Sequence, residues 1–290
     1  MSANMEDKLI EETVIALLRR AVATLPGDVL AALEASLLIE RNPTAKRELS
    51  RILENVREAR ACMLPMCQDT GLPVFFARMG FTFPGFEEAV ARGVRRATED
   101  IPLRKNVVHP LTRENTGDNT GKGMPYICYS YEPSDYIELI VMPKGGGSEN
   151  MSALAMLNPS SGIGGIKRFV LDTVVNAGGR PCPPIILGVG IGGTADECMA
   201  LAKKALLRPV GSHSPDSSIA RLEMEMLHAI NATGIGPMGL GGDTTALAVH
   251  VEYACCHTAS LPVAVNFQCY AARRARARIY RDGSVEIGGE

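Results

Sequence analysis

The 290-residue chain lacks an excess of positive charge, because 30 lysines and arginines are set against 32 aspartates and glutamates. A net charge of −2 argues against a general nucleic-acid binder. No uninterrupted apolar run reaches the roughly 18 residues that a membrane helix needs. The N-terminal segment Met1–Lys8 is acidic and has no apolar core, so no secretory signal is predicted. We therefore expect a cytoplasmic protein without a nucleic-acid or membrane partner.

Signatures of zinc and nucleotide sites are missing or incomplete. There is no paired C-x2-C and no histidine pair at helical spacing, which disfavours zinc. The stretch Gly188-Val-Gly-Ile-Gly-Gly193 matches the dinucleotide fingerprint G-x-G-x-x-G, after a predicted strand and before a predicted helix. It does not open the first βα unit, however, and no acidic residue follows at the end of a second strand. We expect close backbone packing at these glycines, and a nucleotide-binding oxidoreductase is the weaker alternative.

Apolar periodicity predicts three helices over about residues 10–25, 28–39 and 43–60. Asn42 is the expected N-cap of the third helix, and Pro43 its first residue. Between Cys67 and Asn150 we expect short strands separated by loops. Strands and helices then alternate, and an Asp-Gly turn predicts a closing hairpin over residues 278–287. The prediction is an α+β fold in a single domain over residues 1–290, with a helical start over residues 1–60 and mixed strands and helices over residues 61–290.

Eight cysteines in a chain without a secretory signal indicate thiols or metal ligands rather than disulfides. Three of them lie in separate Gly/Pro-rich segments, namely Cys67 before Gln-Asp-Thr-Gly71, Cys182 before Pro-Pro184, and Cys269 after Asn266-Phe-Gln. Three thiolates can hold an iron–sulfur cluster whose fourth iron has no protein ligand and is open to substrate. Buried structural roles are expected for Cys128, Cys198, Cys255 and Cys256.

Four polar loops are rich in glycine, at residues 67–73, 102–121, 143–150 and 234–245. Glycines let backbone N–H groups converge on an anion, and Arg104 can clamp a carboxylate. Because these loops contain no Lys-Ser/Thr pair of the phosphate-loop type, they favour a small dicarboxylate substrate over a nucleotide. The basic run from Arg273 to Arg278 is predicted to be solvated or part of an interface.

Several of these motifs occur in the order found in one enzyme family. They are Cys-Gln-Asp-Thr-Gly at 67–71, Arg-Glu-Asn-Thr-Gly-Asp-Asn-Thr-Gly at 113–121, Gly-Gly-Gly-Ser-Glu-Asn at 145–150 and Gly-Ile-Gly-Pro-Met-Gly at 234–239. From Cys67 to the C-terminus the chain resembles the class I, iron–sulfur fumarate hydratases and, equally, the α subunits of L-tartrate dehydratases. The resemblance implies a [4Fe–4S] cluster on Cys67, Cys182 and Cys269. It also implies substrate contacts by Gln68, Asp69, Arg104 and Gly147, with catalytic roles for Asp69 and His257.

The activity implied first is reversible hydration of fumarate to L-malate, with the open iron as a Lewis acid that is sensitive to oxygen. Dehydration of L-tartrate to oxaloacetate is the alternative. Single-chain family members continue into a second domain that supplies the catalytic base. This sequence ends at Glu290, so the resemblance implies an α subunit that completes its active site with a β subunit, as an α2β2 heterotetramer.

Overall fold

The computed structural model describes residues 5–288. Within that range the α-helices are α1 (Met5–Ala23), α2 (Gly27–Ile39), α3 (Pro43–Cys62), α4 (Phe86–Asp100), α5 (Gly146–Glu149), α6 (Gly162–Ala177), α7 (Ala195–Ala205) and α8 (Ser217–Asn231). The strands are β1 (Leu72–Met79), β2 (Tyr126–Tyr131), β3 (Tyr136–Lys144), β4 (Ala153–Leu157), β5 (Ile185–Gly192), β6 (Ala246–Ala254), β7 (Leu261–Gln268), β8 (Ala275–Tyr280) and β9 (Val285–Gly288). The predicted α+β class is confirmed.

The described residues form two compact units built from interleaved stretches of chain. The first unit combines the chain up to Pro26, Asn55–Gly146 and the chain from Arg273 onward. The second unit combines Gly27–Glu54 and Gly147–Ala272. The prediction of a single domain over residues 1–290 stays a prediction.

The three helices predicted at the start of the chain are confirmed as α1, α2 and α3. The Asn42 carboxamide oxygen accepts the N–H of Thr44 at 2.8 Å, so this residue is the N-cap that its position before Pro43 predicts. By length and composition, the stretch Asp7–Ile39 would also suffice to cross a membrane. It is divided into α1 and α2, and the apolar side chains of α1 are buried in the core of the first unit. A buried core helix passes the same test, so the hydropathy is weak support for a membrane segment.

The first unit is a five-stranded sheet covered by α1 and α4. Its strand order is β2-β1-β3-β8-β9, with β2 parallel to β1 and every other pair antiparallel. Alternate residues of β3, including Ile137 and Leu139, point towards the helices and join their apolar faces in one core. Arg92 of α4 forms ion pairs with Asp7 and Glu11 of α1, at 2.9 and 2.5 Å.

Helix α4 contradicts the expectation of only strands and loops between Cys67 and Asn150. Its buried residues include Phe86, Val90, Val94 and Ala97, which recur at helical spacing. Acidic residues also occupy its first turn, where they suit the helix dipole. The helix was not predicted because the sequence on both sides of it is rich in loop residues.

The second unit is a four-stranded sheet with helices on both faces. Its strand order is β4-β7-β5-β6, and only β5 and β6 run parallel. Apolar residues of α6 and α8 pack against side chains of β5, β6 and β7, including Leu187 and Val189. Helix α7 packs on the same sheet through Cys198 and Ala202, which contact Ala264 of β7.

Two glycines of the fingerprint Gly188–Gly193 allow α7 to pack closely on β5. A Cβ on Gly188 would lie 2.0 Å from the carbonyl oxygen of Ala202, and one on Gly190 would lie 2.0 Å from that of Cys198. Real Cβ atoms do not approach oxygens so closely, so only glycine lets the helix backbone rest on this strand. The expected close backbone packing is found, and it explains the spacing of these two glycines without a nucleotide.

Candidate active site

The Cys67 loop of the first unit connects α3 to β1 and is anchored at the preceding residue. Met66 is buried, its N–H donates to the carbonyl of Val22 at 3.0 Å, and its own carbonyl accepts the Asn55 side-chain amide at 2.8 Å. The Cys67 thiol that follows is half-buried, and the Gln68 side chain is exposed. The fold therefore presents both side chains from a fixed backbone.

Asp69 is held by N–H donors from three directions. One carboxylate oxygen accepts the N–H of Gly71 at 2.9 Å and the side-chain amide of Asn106 at 3.2 Å. The other accepts the N–H of Gly146 at 2.7 Å. Gly145 approaches the same carboxylate closely, because an added Cβ would lie 3.3 Å from it. Asp69 thus joins the loops at 67–73, 102–121 and 143–150, and both of its oxygens are already engaged.

Two asparagines that the sequence analysis did not single out hold the second loop in place. Asn106 bridges Asp69 and the carbonyl of Gly71. Asn119 is buried and accepts the N–H of Asn106 at 2.7 Å, while its amide donates to the carbonyl of Arg104 at 3.1 Å. Asn119 adopts a positive φ of 60°, which asparagine tolerates better than most residues. The repeated Asn-Thr-Gly pattern at 115–121 was the available signal for this loop.

Arg104 is fixed by its backbone and exposed at its side chain. Its N–H donates to the hydroxyl of Thr70 at 2.9 Å. No hydrogen bond or ion pair of its guanidinium occurs with any residue between 5 and 288. The predicted carboxylate clamp therefore projects from a rigid loop with its donors available, and its substrate contact stays a prediction.

Arg273 corrects, for its own position, the prediction that the basic run is solvated or part of an interface. Its side chain is among the largest fully buried ones, at 1% exposure. The guanidinium donates to the carbonyl of Asp69 at 2.7 Å, and its Nε has no hydrogen-bond partner within residues 5–288. Arg276 and Arg278, by contrast, are partly exposed on β8 and lie 3.7 and 3.8 Å from Glu138. The two alanines directly before Arg273 are also buried. This apolar pair was the available sequence signal that Arg273 differs from the rest of the basic run.

Cys182 and Cys269 are brought together at one end of the sheet of the second unit. Cys182 precedes β5 and Cys269 follows β7, and these two strands are antiparallel, with Ile186 opposite Gln268. The N–H of Tyr270, directly after Cys269, donates to the carbonyl of Cys182 at 3.1 Å. Both thiols are half-buried. The fold thus apposes two of the three predicted cluster ligands.

The backbone of Cys182 adopts the left-handed conformation, with φ at 55°. Its N–H donates to the carbonyl of Gly179 at 3.0 Å, and the carbonyl of Pro183 accepts the N–H of Met238 at 2.8 Å. This places the Cys182 turn against the fourth glycine-rich loop, at residues 234–245. A non-glycine residue with positive φ costs about 1–3 kcal/mol, and such residues cluster at functional sites.

Gly147 and its neighbours connect the third loop to the two cysteines of the second unit. A Cβ on Gly147 would lie 3.3 Å from the carbonyl oxygen of Arg180, two residues before Cys182. Glu149 binds Lys203 at 2.5 Å and accepts the Asn266 amide at 3.3 Å. Asn266 is fully buried, and its side-chain oxygen has no hydrogen-bond partner in the described part of the chain. The motif around Cys269 therefore carries a rigid polar network.

His257 lies at the opposite end of the same sheet. It is exposed in the connection between β6 and β7, where its Nδ1 accepts the N–H of Ala259 at 3.1 Å. The length of β5 separates this end from Cys182 and Cys269, roughly 20 Å at the rise of a strand. An open cleft of about 470 Å³ lies there too, lined by residues such as Ile191, Tyr253 and Cys256. His257 is not brought beside Cys182 and Cys269, and its catalytic role stays a prediction.

The cysteine thiols differ in burial, and therefore in how well they could bind a metal. No cysteine between residues 5 and 288 forms a disulfide. Cys198 is buried as predicted, and burial raises the pKa of its thiol to about 11. Cys255 and Cys256 are exposed rather than buried, and Cys128 is half-buried. Because a metal binds the thiolate, Cys67, Cys182 and Cys269 fit the donor chemistry of a cluster better than Cys198 does. No group of three or more His, Cys, Asp or Glu side chains within residues 5–288 is arranged to hold a metal ion.

Comparison with known proteins gives a consistent result over most of the chain. The family model described as fumarate hydratase (fumerase) matches residues 11–278. A Methanocaldococcus jannaschii protein, provisionally named L(+)-tartrate dehydratase subunit alpha, is 52% identical over 283 residues, which cover 95% of this chain and 99% of its own. The L(+)-tartrate dehydratase subunit alpha of Escherichia coli K12 is 34% identical over 266 residues, covering 90% and 88% of the two chains. These names favour the tartrate alternative over the fumarate reaction that the sequence motifs implied first, and they imply a β partner. The chain belongs to the fumarate hydratase family.

Proposed function

We propose that this chain is the α subunit of a hydro-lyase that dehydrates L(+)-tartrate to oxaloacetate together with a β subunit. The observation that carries the proposal is the apposition of Cys182 and Cys269, through the hydrogen bond from Tyr270 to Cys182. The names of the relatives from M. jannaschii and E. coli support tartrate as the substrate. Fumarate hydration is the second candidate, and the description of the matching family favours it.

Cys67, Cys182 and Cys269 would hold a [4Fe–4S] cluster. When bound, such a cluster supplies a Lewis acid for the departing hydroxyl group. The half-buried thiols suit this ligand set, since they are neither sealed in the core like Cys198 nor fully exposed like Cys255. The left-handed backbone of Cys182 supports this assignment, because strained residues of this kind cluster at functional sites.

The residues around Asp69 supply orientation. Its carboxylate accepts bonds from Gly71, Asn106 and Gly146, so it holds three loops at fixed spacing. Because both oxygens are engaged, Asp69 acts in this proposal as a positioning residue, which departs from the catalytic role that the sequence implied. Arg104 offers an exposed guanidinium that can pair with a substrate carboxylate. The base that removes the carbon-bound proton then comes from the β subunit.

The test is a substrate comparison with the complete enzyme. The chain is purified without oxygen together with its β subunit, and kcat/KM is measured for L(+)-tartrate and for L-malate. We expect tartrate to be preferred by at least about tenfold, equivalent to roughly 1.4 kcal/mol in the barrier. A preference for malate would establish the fumarate reaction instead. Turnover of neither substrate by an iron-loaded complex would reject both.

A further inference from the structure

Strand β4 of the second unit leaves one edge of its sheet open. Among the described strands it pairs only with β7. Its sequence, Ala153-Leu-Ala-Met-Leu157, has no charge and no proline, the devices with which proteins protect open edges. The side chains of Leu154 and Met156 are 41% and 57% exposed. An uncharged, apolar edge of this kind indicates pairing with another chain.

The pairing with β7 determines which backbone groups of β4 face outward. Met156 lies opposite Pro262, which has no N–H to donate, so this pair belongs to the non-hydrogen-bonded set of the antiparallel ladder. Pairs alternate along the ladder, which places Leu154 in the same set, opposite Ala264. The N–H and C=O groups of Leu154 and Met156 therefore point to the open edge, while those of Ala155 point to β7.

We propose that β4 pairs with β4 of a second copy of this chain, antiparallel and on a twofold axis at Ala155. In this register Leu154 of each copy faces Met156 of the other, and their outward N–H and C=O groups form two reciprocal pairs of hydrogen bonds. The two four-stranded sheets become one continuous sheet. This inference does not depend on the proposed function.

The properties of β4 favour a second copy over an unrelated partner. In this register only Ala155 lies opposite its own counterpart, so a charge at that position would face a like charge. β4 carries no charge at this or any other position. At the axis, two Ala155 residues form a non-hydrogen-bonded pair with Cα atoms about 4.5 Å apart, and alanine is small enough for this approach. On the other face, Leu154 of each copy covers the exposed Met156 of the other, so the strand is complementary to itself.

The first test measures the number of chains per particle by light scattering coupled to gel filtration. We expect the full chain to have twice its single-chain mass of 31.0 kDa. A variant carrying Leu154→Lys and Met156→Lys should fall to a single chain with an unchanged circular-dichroism spectrum. The matched control is Met224→Lys, a methionine 52% exposed on α8, which should leave the dimer intact.

Two results of that test would overturn the proposal: a single-chain mass for the unaltered protein at concentrations of tens of micromolar, and a lysine variant that keeps twice the mass. A third contrary result would come from co-purification with the β subunit, if the lysine variant lost the β subunit but kept two copies of this chain. That outcome would assign the β4 edge to the β subunit.

A second test reports the register directly. Ala155→Cys should cross-link to its counterpart under mild oxidation, because the expected Cα separation lies within the range of disulfides. Leu154→Cys should not cross-link above the background level of the unaltered chain, since the Cα atoms of the two Leu154 residues would be about 8 Å apart, beyond the reach of a disulfide. Cross-linking of the Leu154 variant without that of the Ala155 variant would contradict an axis at Ala155.

Discussion

At the scale of single residues, the two most informative cysteines are Cys182 and Cys198, which differ in backbone and burial. Cys182 sits in a left-handed turn and is half-buried, whereas Cys198 is sealed between α7 and the sheet. The carbonyl of Gly190 accepts a bond from the Cys198 thiol at 3.2 Å, which uses that thiol for packing. Cys182 therefore fits the ligand role that we propose for it, whereas Cys198 is a small core residue.

This difference predicts opposite effects of two matched substitutions. Cys182→Ser should remove nearly all iron from protein purified without oxygen, because a serine hydroxyl is a poor substitute for a cluster thiolate. Cys198→Ser should keep the iron, while losing some thermal stability because a hydroxyl enters an apolar contact. Iron content and melting temperature measure the two effects. Full iron content in the Cys182 variant would remove this residue from the ligand set.

The second prediction at the scale of residues concerns the buried side chain of Arg273. Arg273→Met should lower both the melting temperature and the iron content, since the carbonyl of Asp69 loses a charged donor worth roughly 1.5–3 kcal/mol. Arg273→Lys should retain part of both. The control, Arg276→Met, removes a partly exposed arginine from the same basic run and should change neither. Unchanged iron content and stability in the Arg273→Met variant would show that the buried guanidinium does not support the Cys67 loop.

At the scale of elements, the contact between α7 and β5 depends on a missing side chain. Gly190→Ala would place a Cβ 2.0 Å from the carbonyl oxygen of Cys198. The helix must then move, and overpacking of this kind costs about 1–3 kcal/mol or more. Gly164→Ala is the control, because Gly164 lies in α6 with no atom within 4 Å of an added Cβ. Its replacement should stabilise the chain by up to about 1 kcal/mol.

Denaturant unfolding of both glycine variants measures this difference in the free energy of unfolding. Equal stabilities would contradict the close packing of α7 on β5. The nucleotide alternative has a test of its own, in which the melting temperature of the unaltered chain is measured with and without NAD. We expect no change, because the contact with α7 accounts for Gly188 and Gly190. A melting temperature raised by NAD in the unaltered chain would restore that alternative.

The elements that could be predicted from sequence are those whose signal is local. Helix α3 follows from Asn42 and Pro43, and the β8–β9 hairpin follows from the Asp-Gly turn at Gly283, whose φ is 87°. Helix α4 was missed because its apolar stripe stands within a loop-rich region. The burial of Arg273 was also missed, because it depends on a carbonyl 204 residues away in the chain. The grouping of Asp69, Asn106 and Gly146 likewise depends on pairing between distant segments.

At the scale of the whole molecule, the proposed function divides the active site between two chains: this chain would hold the cluster and orient the substrate, and the β subunit would supply the base. The chain alone, reconstituted with iron and sulfide, should turn over negligibly, and addition of the β subunit should restore activity without further metal. Oxaloacetate and fumarate formation measure this for the two candidate substrates. Activity of the chain alone within about tenfold of the complex, roughly 1.4 kcal/mol in the barrier, would place the entire site in these 290 residues.

The interleaving of the two units also sets the order in which they can be completed during synthesis. The first unit places β8 beside β3 in its sheet, although β8 follows every strand of the second unit in the chain. A ribosome therefore delivers the last part of the first unit after the second unit is complete, and β3 keeps an unpaired edge until then. A chain released at Ala272 should be digested by protease within residues 55–146 while residues 147–272 resist. Equal resistance of both regions would show that the first unit closes without β8. For this protein, the N-terminal helix that emerges first belongs to the unit that is finished last.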